Sequence, residues 1–369
     1  MNVTKAILIT YPTEESINEA LSLAEAAGYK VEKIVKQKHI TKSKYGIGKG
    51  KAQEVNDMLK ELKINVIIFD EVLKPSQQYN LASLCKKDVI DRERIILEIF
   101  ERRASNSESR IQIKLAQLRY ETIRIREKVR LAKMGEQPGF FGLGKYDADV
   151  YMLDVKSRMS VLKKKLEKEE KRRNLYRIQR NKIGIPIISL VGYTSAGKTT
   201  LFNTLTGESK ITGQGMFTTL STFTRAMNLN ENKVLVTDTV GFINKLPAYM
   251  IDAFKSTLHE LLFSKLILLV IDISQKIKDI RIKLNSSLHI MNELQVPTGK
   301  IIYLLNKIDL TDLNDAYDKS IDLGLSNSEH IVLPISSTNG HNINKLKDLI
   351  ETIICGNKIA AKNNRKFFK

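Results

Sequence analysis

The stretch Gly192-Tyr193-Thr194-Ser195-Ala196-Gly197-Lys198-Thr199 constrains this chain more than any other. It fits G-x-x-x-x-G-K-[ST], a loop whose glycines let the backbone wrap closely round phosphate oxygens while successive N–H groups point inward. The apolar run from Ile183 to Val191 precedes it and reads as a buried strand; Thr199 and Thr200 lead into Leu201 to Leu205, which reads as a helix start. The loop is therefore expected at a strand-to-helix turn, where the helix N-terminus favours phosphate. Lys198 would neutralise the β/γ oxygens, and Thr199 would ligate Mg²⁺.

Three further motifs follow in order. Asp238-Thr239-Val240-Gly241 closes the apolar strand expected over 233–237 and reads as D-x-x-G, which holds Mg²⁺ through water and senses a γ-phosphate. Asn306-Lys307-Ile308-Asp309 closes another, 300–305, and reads as N-K-x-D. The Asp309 carboxylate can accept from both the ring N1–H and the exocyclic amine of guanine. Adenine offers no such pair, and a buried carboxylate facing it would be left unpaired. Ser336-Ser337-Thr338 follows the apolar segment 331–335, where a backbone N–H would meet the guanine O6. Singly, D-x-x-G is a common turn and N-K-x-D a solvated loop. Four such motifs, each after its own strand, specify a GTPase with a central, mostly parallel sheet.

The 369 residues suffice for two or three domains. Cys85 and Cys355 lie far apart in apolar helical segments, which excludes a disulfide framework and suits a reducing compartment. The apolar part of the N-terminus is too short for a signal peptide, and no apolar run approaches membrane-spanning length, so a cytoplasmic protein is expected. Net charge is +19, unevenly distributed: residues 183–355 are neutral, 1–107 carry +3, 108–182 carry +11 and 356–369 carry +5. A charge run can be a solvated helix face. An excess this concentrated points instead to a polyanion, and to RNA in such a GTPase.

Residues 1–106 alternate strands (6–10, 30–35, 65–70, 88–91) with helical patterns (16–27, 52–63, after Pro75, 92–104), which predicts an α/β domain of mainly parallel type. Between its second strand and second helix, Lys36 to Lys51 interleaves six lysines with three glycines. It reads as a flexible basic loop suited to RNA phosphates, or as an ordinary surface loop. Residues 107–182 form two helical stretches. Ile111, Leu115, Leu118, Thr122, Ile125, Val129 and Ala132 mark an apolar seam on the first. Met152, Val155, Met159, Leu162 and Leu166 mark one on the second, continued by Glu169, Arg173 and Tyr176. An antiparallel coiled-coil hairpin is expected. Its tip, Gly135 to Tyr146, sets Phe140 and Phe141 among glycines, suited to base stacking or to a local hydrophobic plug. A GTPase domain over 183–355 and a basic tail over 356–369 complete the division.

Beyond the generic motifs, the chain resembles HflX-type ribosome-associated GTPases. The resemblance rests on Ile47-Gly48-Lys49-Gly50-Lys51-Ala52-Gln53-Glu54, Pro75-Ser76-Gln77-Gln78-Tyr79-Asn80-Leu81, Val89-Ile90-Asp91-Arg92 with Ile96-Leu97-Glu98-Ile99-Phe100, and Leu115-Ala116-Gln117-Leu118-Arg119-Tyr120. It spans about residues 1–355 and implies a protein that binds the large ribosomal subunit and helps to split, recycle or rescue stalled ribosomes. A GTPase of ribosome assembly is one alternative; an RNA-binding protein with a structural nucleotide site is another. A monomer is expected.

Three departures stand out. The hairpin loop differs from the family's G-x-R-G-P-G-E-like sequence, Ser195 replaces an Asn that can recruit K⁺ in related GTPases, and after Thr338 one helix and a basic tail are expected in place of the C-terminal domain of many relatives. The resemblance aligns Phe217-Thr218-Thr219-Leu220 with the family's F-A-T-L, which makes Thr219 the second Mg²⁺ ligand from a mobile switch segment over 213–225. Thr218 and Thr222 are the alternatives. Lys198, Thr219 and Gly241 form the expected catalytic set. Phe242 stands where many GTPases keep a water-orienting glutamine, and its phenyl ring cannot hydrogen-bond water.

Overall fold

The computed structural model describes residues 4–40, 43–104, 106–133, 145–208, 223–229, 232–239, 241–243, 250, 260–326 and 330–354. Residues 1–169 and 170–369 form two compact units.

In the first unit, β1 (Thr4–Thr10), β2 (Tyr29–Lys36), β3 (Val66–Phe69) and β4 (Asp88–Asp91) make a four-stranded sheet in the order β2-β1-β3-β4. Every pair is parallel. Helices α1 (Glu14–Ala26), α2 (Lys49–Glu61), α3 (Pro75–Cys85) and α4 (Arg92–Arg103) make the crossovers. Their starts follow from local chemistry. Thr13 caps α1 by accepting from Ser16 N, Asp91 caps α4 by accepting from Arg94 N, and Pro75 supplies a fixed φ at the first position of α3. Ile7, Ile9, Val55, Leu59, Ile67, Phe69 and Leu81 form the core of one face.

The basic segment 36–51 differs from a free loop. Ile40 and Ile47 are buried in that core, and α2 already begins at Lys49. Gln77 Nε2 donates to Ser43 O at 2.7 Å and Asn80 Nδ2 to Lys44 O at 3.2 Å. Two apolar anchors and two side-chain amides therefore hold the described residues of this segment, and Lys38 and Lys44 within it, with Lys36 ending β2 and Lys49 opening α2, stay exposed.

Helix α5 (Ser107–Lys133) and helix α6 (Lys145–Ile183) follow. Along α6 the expected seam is the protected stripe: Met152, Val155, Met159, Leu162 and Leu166 are each less exposed than their neighbours. Helix α5 departs from a single seam. Besides Leu115 and Leu118 it buries Gln112, Ile113, Ala116, Tyr120 and Arg124, a second face that packs on α3 and α4. Tyr120 OH donates to Asp91 Oδ1 at 2.9 Å, while Arg124 donates to Asp91 Oδ2 and, through Nε at 2.7 Å, to Gln78 Oε1. The motif residues Gln78, Asp91 and Tyr120 thus meet in one buried polar knot joining α3, β4 and α5. The hairpin tip and Val129, Ala132, Arg173 and Tyr176 lie outside the residues whose side chains are described.

In the second unit, β5 (Ile187–Gly192), β6 (Phe223–Asn228), β7 (Lys233–Asp238), β8 (Leu266–Asp272), β9 (Ile301–Asn306) and β10 (Ile331–Pro334) form a six-stranded sheet, order β10-β9-β8-β5-β7-β6. Only the β6–β7 pair is antiparallel. Helices α7 (Lys198–Thr206), α8 (Glu260–Phe263), α9 (Ile277–Glu293), α10 (Leu313–Asp322) and α11 (Ile343–Ile354) accompany it. Two expectations are corrected here. The apolar run 183–191 is not all strand: Ile183 ends α6, and β5 starts only at Ile187, after Pro186. Phe223 to Arg225, placed in the switch segment, open the edge strand β6. The core under the sheet joins Ile188, Leu190, Leu201, Phe202, Val236, Leu268, Leu304, Leu333 and Leu346. Each such side chain contributes about 2 kcal/mol on burial.

Candidate nucleotide site

Parallel strands deliver their carboxyl ends to one edge of the sheet, and the polar residues that follow each apolar run gather there. The register shows it directly: Leu190 pairs with Asp238, Gly192 with Val270, Asp272 with Asn306 and Leu305 with Pro334. The four motifs converge because each begins where its strand ends.

The phosphate-loop residues 192–199 turn from β5 into α7. Gly197, at φ 96°, precedes the helix, and Ser195 is exposed in the left-handed region at φ 62°. Asn306 holds the loop from across the sheet: its Nδ2 donates to Ala196 O at 2.8 Å, and its Oδ1 accepts from Ser337 N at 3.0 Å and Ser337 Oγ at 2.8 Å. Thr204 Oγ1 on α7 donates to Ser337 O at 2.8 Å. The loop 336–338 and the phosphate loop are therefore braced by one asparagine and one threonine.

Lys198 is buried, its Nζ donating to Tyr193 O at 2.7 Å. Burial lowers its pKa to about 8, against the opposing pull of the Asp238 carboxylate. Thr199 Oγ1 donates to Asp238 Oδ2 at 3.1 Å, and Thr239 Oγ1 anchors the next turn on Leu190 O at 2.6 Å. Gly241 passes so close that a Cβ there would lie 2.9 Å from Thr194 Cγ2 and 3.1 Å from Lys198 Nζ. Phe242 is buried, and its backbone is stitched to the phosphate loop: Phe242 N donates to Gly192 O at 3.0 Å, and Thr194 N to Phe242 O at 2.8 Å. The phenylalanine is a packing residue.

Asp309 is exposed, and Ser336 Oγ donates to its Oδ1 at 2.6 Å. The burial expected for this carboxylate is thus not a property of the loop itself. Thr200 is half-buried and Thr338 exposed at the rim. Phe217, Thr218, Thr219 and Val240 lie outside the described residues.

The sequence reading missed Asp272, which is buried at the end of β8 beside Asn306 and accepts from Lys307 Nζ at 2.7 Å. Asp272-Ile273-Ser274-Gln275 follows its apolar strand at the same offset as the recognised motifs, and that offset was the available signal.

Comparison with known proteins agrees with this geometry. A family model described as "50S ribosome-binding GTPase" matches residues 187–307. Models described as "GTP-binding GTPase N-terminal" and "GTP-binding GTPase Middle Region" match residues 14–101 and 103–180. A GTPase HflX of Methanocaldococcus jannaschii is 44% identical over 295 residues, covering 80% of this chain and 72% of that protein. One from Hyperthermus butylicus is 36% identical over 351 residues, 93% of each chain. A solved GTP-binding protein from Sulfolobus solfataricus in complex with GDP superposes with a TM-score of 0.52 at 32% identity, covering 95% of this chain and 99% of its own. No helix among the described residues is long and apolar enough to cross a membrane. The guanine-nucleotide motifs on one sheet edge and relatives matched along most of the chain place it in a single family: it belongs to the HflX GTPases, enzymes that bind and hydrolyse GTP.

Proposed function

We propose that this GTPase acts on the large ribosomal subunit, in the cytoplasm and as a monomer, coupling GTP binding to the splitting, recycling or rescue of ribosomes. The observation that carries the reading is the partition of charge. The nucleotide-bearing residues 183–355 are neutral, whereas 108–182 carry +11, and the exposed lysines of the segment 36–51 add a second basic surface. Such a division suits a neutral switch attached to an RNA-binding part. The family description naming the 50S ribosome supports the choice of RNA.

Within the site, residues 192–200 cradle the phosphates, Lys198 clamps the β/γ oxygens, and Asn306, Lys307, Asp309 and the loop 336–338 enclose guanine. The Gly241 N–H meets the γ-phosphate. The donor set fits Mg²⁺. Thr199 and Asp238 offer a hydroxyl and a carboxylate 3.1 Å apart, and among the described residues no three acidic, His or Cys side chains cluster. An ion that keeps most of its waters and takes phosphate oxygens needs no more protein ligands than these. Thr199 and Asp238 would hold it, with Thr219 added from the switch, and it would neutralise charge on the phosphate oxygens. Phe242 leaves water orientation to another group, so ribosome contact completes the site.

Sedimentation of the full chain with purified large subunits, in GTP analogue and in GDP, tests the reading. Co-sedimentation with the analogue and stimulated hydrolysis are expected; a protein that stays in the supernatant in both states refutes it.

A further inference from the structure

Asp272 has no place in the four motifs, yet it is among the most densely bonded side chains at the sheet edge. Its Oδ1 accepts from Ser274 N at 3.2 Å and Ser274 Oγ at 2.6 Å; its Oδ2 accepts from Gln275 Nε2 at 2.9 Å and Lys307 Nζ at 2.7 Å. Two of these contacts belong to an Asx-type turn that leads the chain out of β8. The fourth reaches a different strand. Lys307 adopts φ 67°, and from that left-handed turn its side chain runs back across the sheet edge to Asp272. Strand register makes this reach available, since Asp272 pairs with Asn306, the residue before Lys307.

The ion pair is shielded on one side only. Asp272 is 8% exposed and the Lys307 side chain 30%. A lysine in that position has a four-carbon stem with full rotamer freedom unless its ammonium is held. The network extends further: Lys283 Nζ on α9 donates to Gln275 Oε1 at 2.5 Å and lies 5.4 Å from the centroid of the Tyr193 ring in the phosphate loop. Asp272 therefore sits between the guanine-reading loop and the phosphate loop, bonded to a side chain of the first and linked through Gln275 and Lys283 to an aromatic ring of the second.

We propose that Asp272 is a positioning residue for the guanine pocket: it holds the Lys307 ammonium so that the lysine stem is fixed as one wall of the base site. The proposal rests on the assignment of the N-K-x-D loop to guanine. Its consequence concerns retention of nucleotide, with GTP and GDP affected alike, because the base is common to both.

The test is the dissociation rate of N-methylanthraniloyl-GDP from the full chain, measured by stopped-flow displacement. Asp272→Asn should release the probe about tenfold faster, the scale of one partly buried charge-assisted hydrogen bond, with the steady-state effect falling on KM rather than kcat. Lys307→Met should also release it faster. Adding Asp272→Asn to Lys307→Met should then change nothing more, since the group to be positioned is gone. Additive acceleration in the double variant, or wild-type release from Asp272→Asn, overturns the proposal. If Asp272→Asn fails to fold, Asp272→Glu keeps the charge while displacing it. Its release should be faster than wild type, again masked by Lys307→Met, and additivity there overturns the proposal equally. Asp309→Asn separates the two levels. Unchanged release from it removes the guanine assignment and the proposal together. Faster release from Asp309→Asn and Lys307→Met, with none from Asp272→Asn, removes the positioning role alone.

Discussion

Gly197 and Asn306 approach so closely that a Cβ on Gly197 would lie 2.2 Å from Asn306 Nδ2. That amide nitrogen is already committed to Ala196 O, and the other end of the same side chain is held by Ser337. An asparagine fixed at both ends cannot swing aside. The glycine of the phosphate loop is therefore required twice, by its left-handed φ and by a neighbour from β9.

Gly197→Ala should consequently cost about 3 kcal/mol at the loop, the sum of backbone strain and a clash with an immobile partner. Equilibrium titration with fluorescent GDP should show affinity lowered roughly 100-fold, with circular dichroism near wild type. Undiminished affinity would mean that Asn306 yields.

Asp309→Asn should move preference from GTP toward xanthosine triphosphate, because an amide can donate to the xanthine oxygen where a carboxylate accepted from the guanine amine. Asp309 is exposed and bonded to Ser336, so its desolvation comes only from the base. The loss of guanine affinity should therefore be about 2 kcal/mol, near the lower end for a charged hydrogen bond. Competition between GTP and xanthosine triphosphate for the same site measures it.

Lys198 gives a pH signature. Burial holds its pKa at about 8, below the ordinary 10.5. Between these values the unfolded chain keeps a proton that the folded protein has released. The lysine's contribution thus makes folding less favourable below about 8 and rises with pH from there to about 10.5. A triphosphate restores the charged form, so GTP binding should take up a proton above pH 8 and affinity should fall as pH climbs. Calorimetry at pH 9 in buffers of different ionisation enthalpy reads this uptake, which Lys198→Met should abolish.

Motif positions were legible because each is a polar interruption at the end of an apolar run, and parallel strands bring such ends together whatever the details of packing. Helix α5 was harder to read. Its seam residues Ile111, Leu115 and Leu118 interleave with Ile113, Ala116 and Tyr120, so two buried faces overlap in sequence and read as one stripe. The run 183–191 hid a boundary because the last turn of α6 and the first residues of β5 are both apolar. The edge strand β6 escaped notice since its pattern, Phe223 to Asn228, is half-exposed. Asp272 was missed for a different reason: it closes an apolar strand at the same offset as the motifs, but its importance lies in a contact with Lys307, and a pairwise contact between two strand ends leaves no sequence motif.

Intrinsic GTP turnover should be slow, because Phe242 is buried and its backbone is bonded to Gly192 and Thr194. Restoring the missing amide by Phe242→Gln should not accelerate hydrolysis; the new side chain would enter a packed pocket and cost about 3 kcal/mol of stability, as for loss of a buried phenyl ring. Single-turnover hydrolysis without ribosomes, together with a thermal melt, checks both halves. A variant that hydrolyses faster at unchanged stability would place residue 242 at the γ-phosphate after all.

Ribosome binding should be strongly salt-dependent, and the dependence should map to specific lysines. Counterion release makes the logarithm of affinity fall linearly with that of salt concentration, with a slope set by the number of phosphates neutralised. Lys36 at the end of β2, Lys49 at the start of α2, and Lys38 and Lys44 between them are exposed, and Ile40, Ile47, Gln77 and Asn80 tie the neighbouring backbone to the core. Lys51 is different: its ammonium is bonded to both carboxylate oxygens of Glu54, at 2.9 and 2.8 Å, and has less to offer a phosphate. Replacing the four exposed lysines by alanine should flatten the slope by about three to four units, leaving GDP affinity unchanged. Lys51→Ala should alter the slope by much less than any of them. If the fourfold variant keeps the full slope, the contacts lie elsewhere, and the excess of +11 on residues 108–182 becomes the surface to dissect, beginning with the exposed lysines Lys163, Lys164, Lys165 and Lys168 of α6.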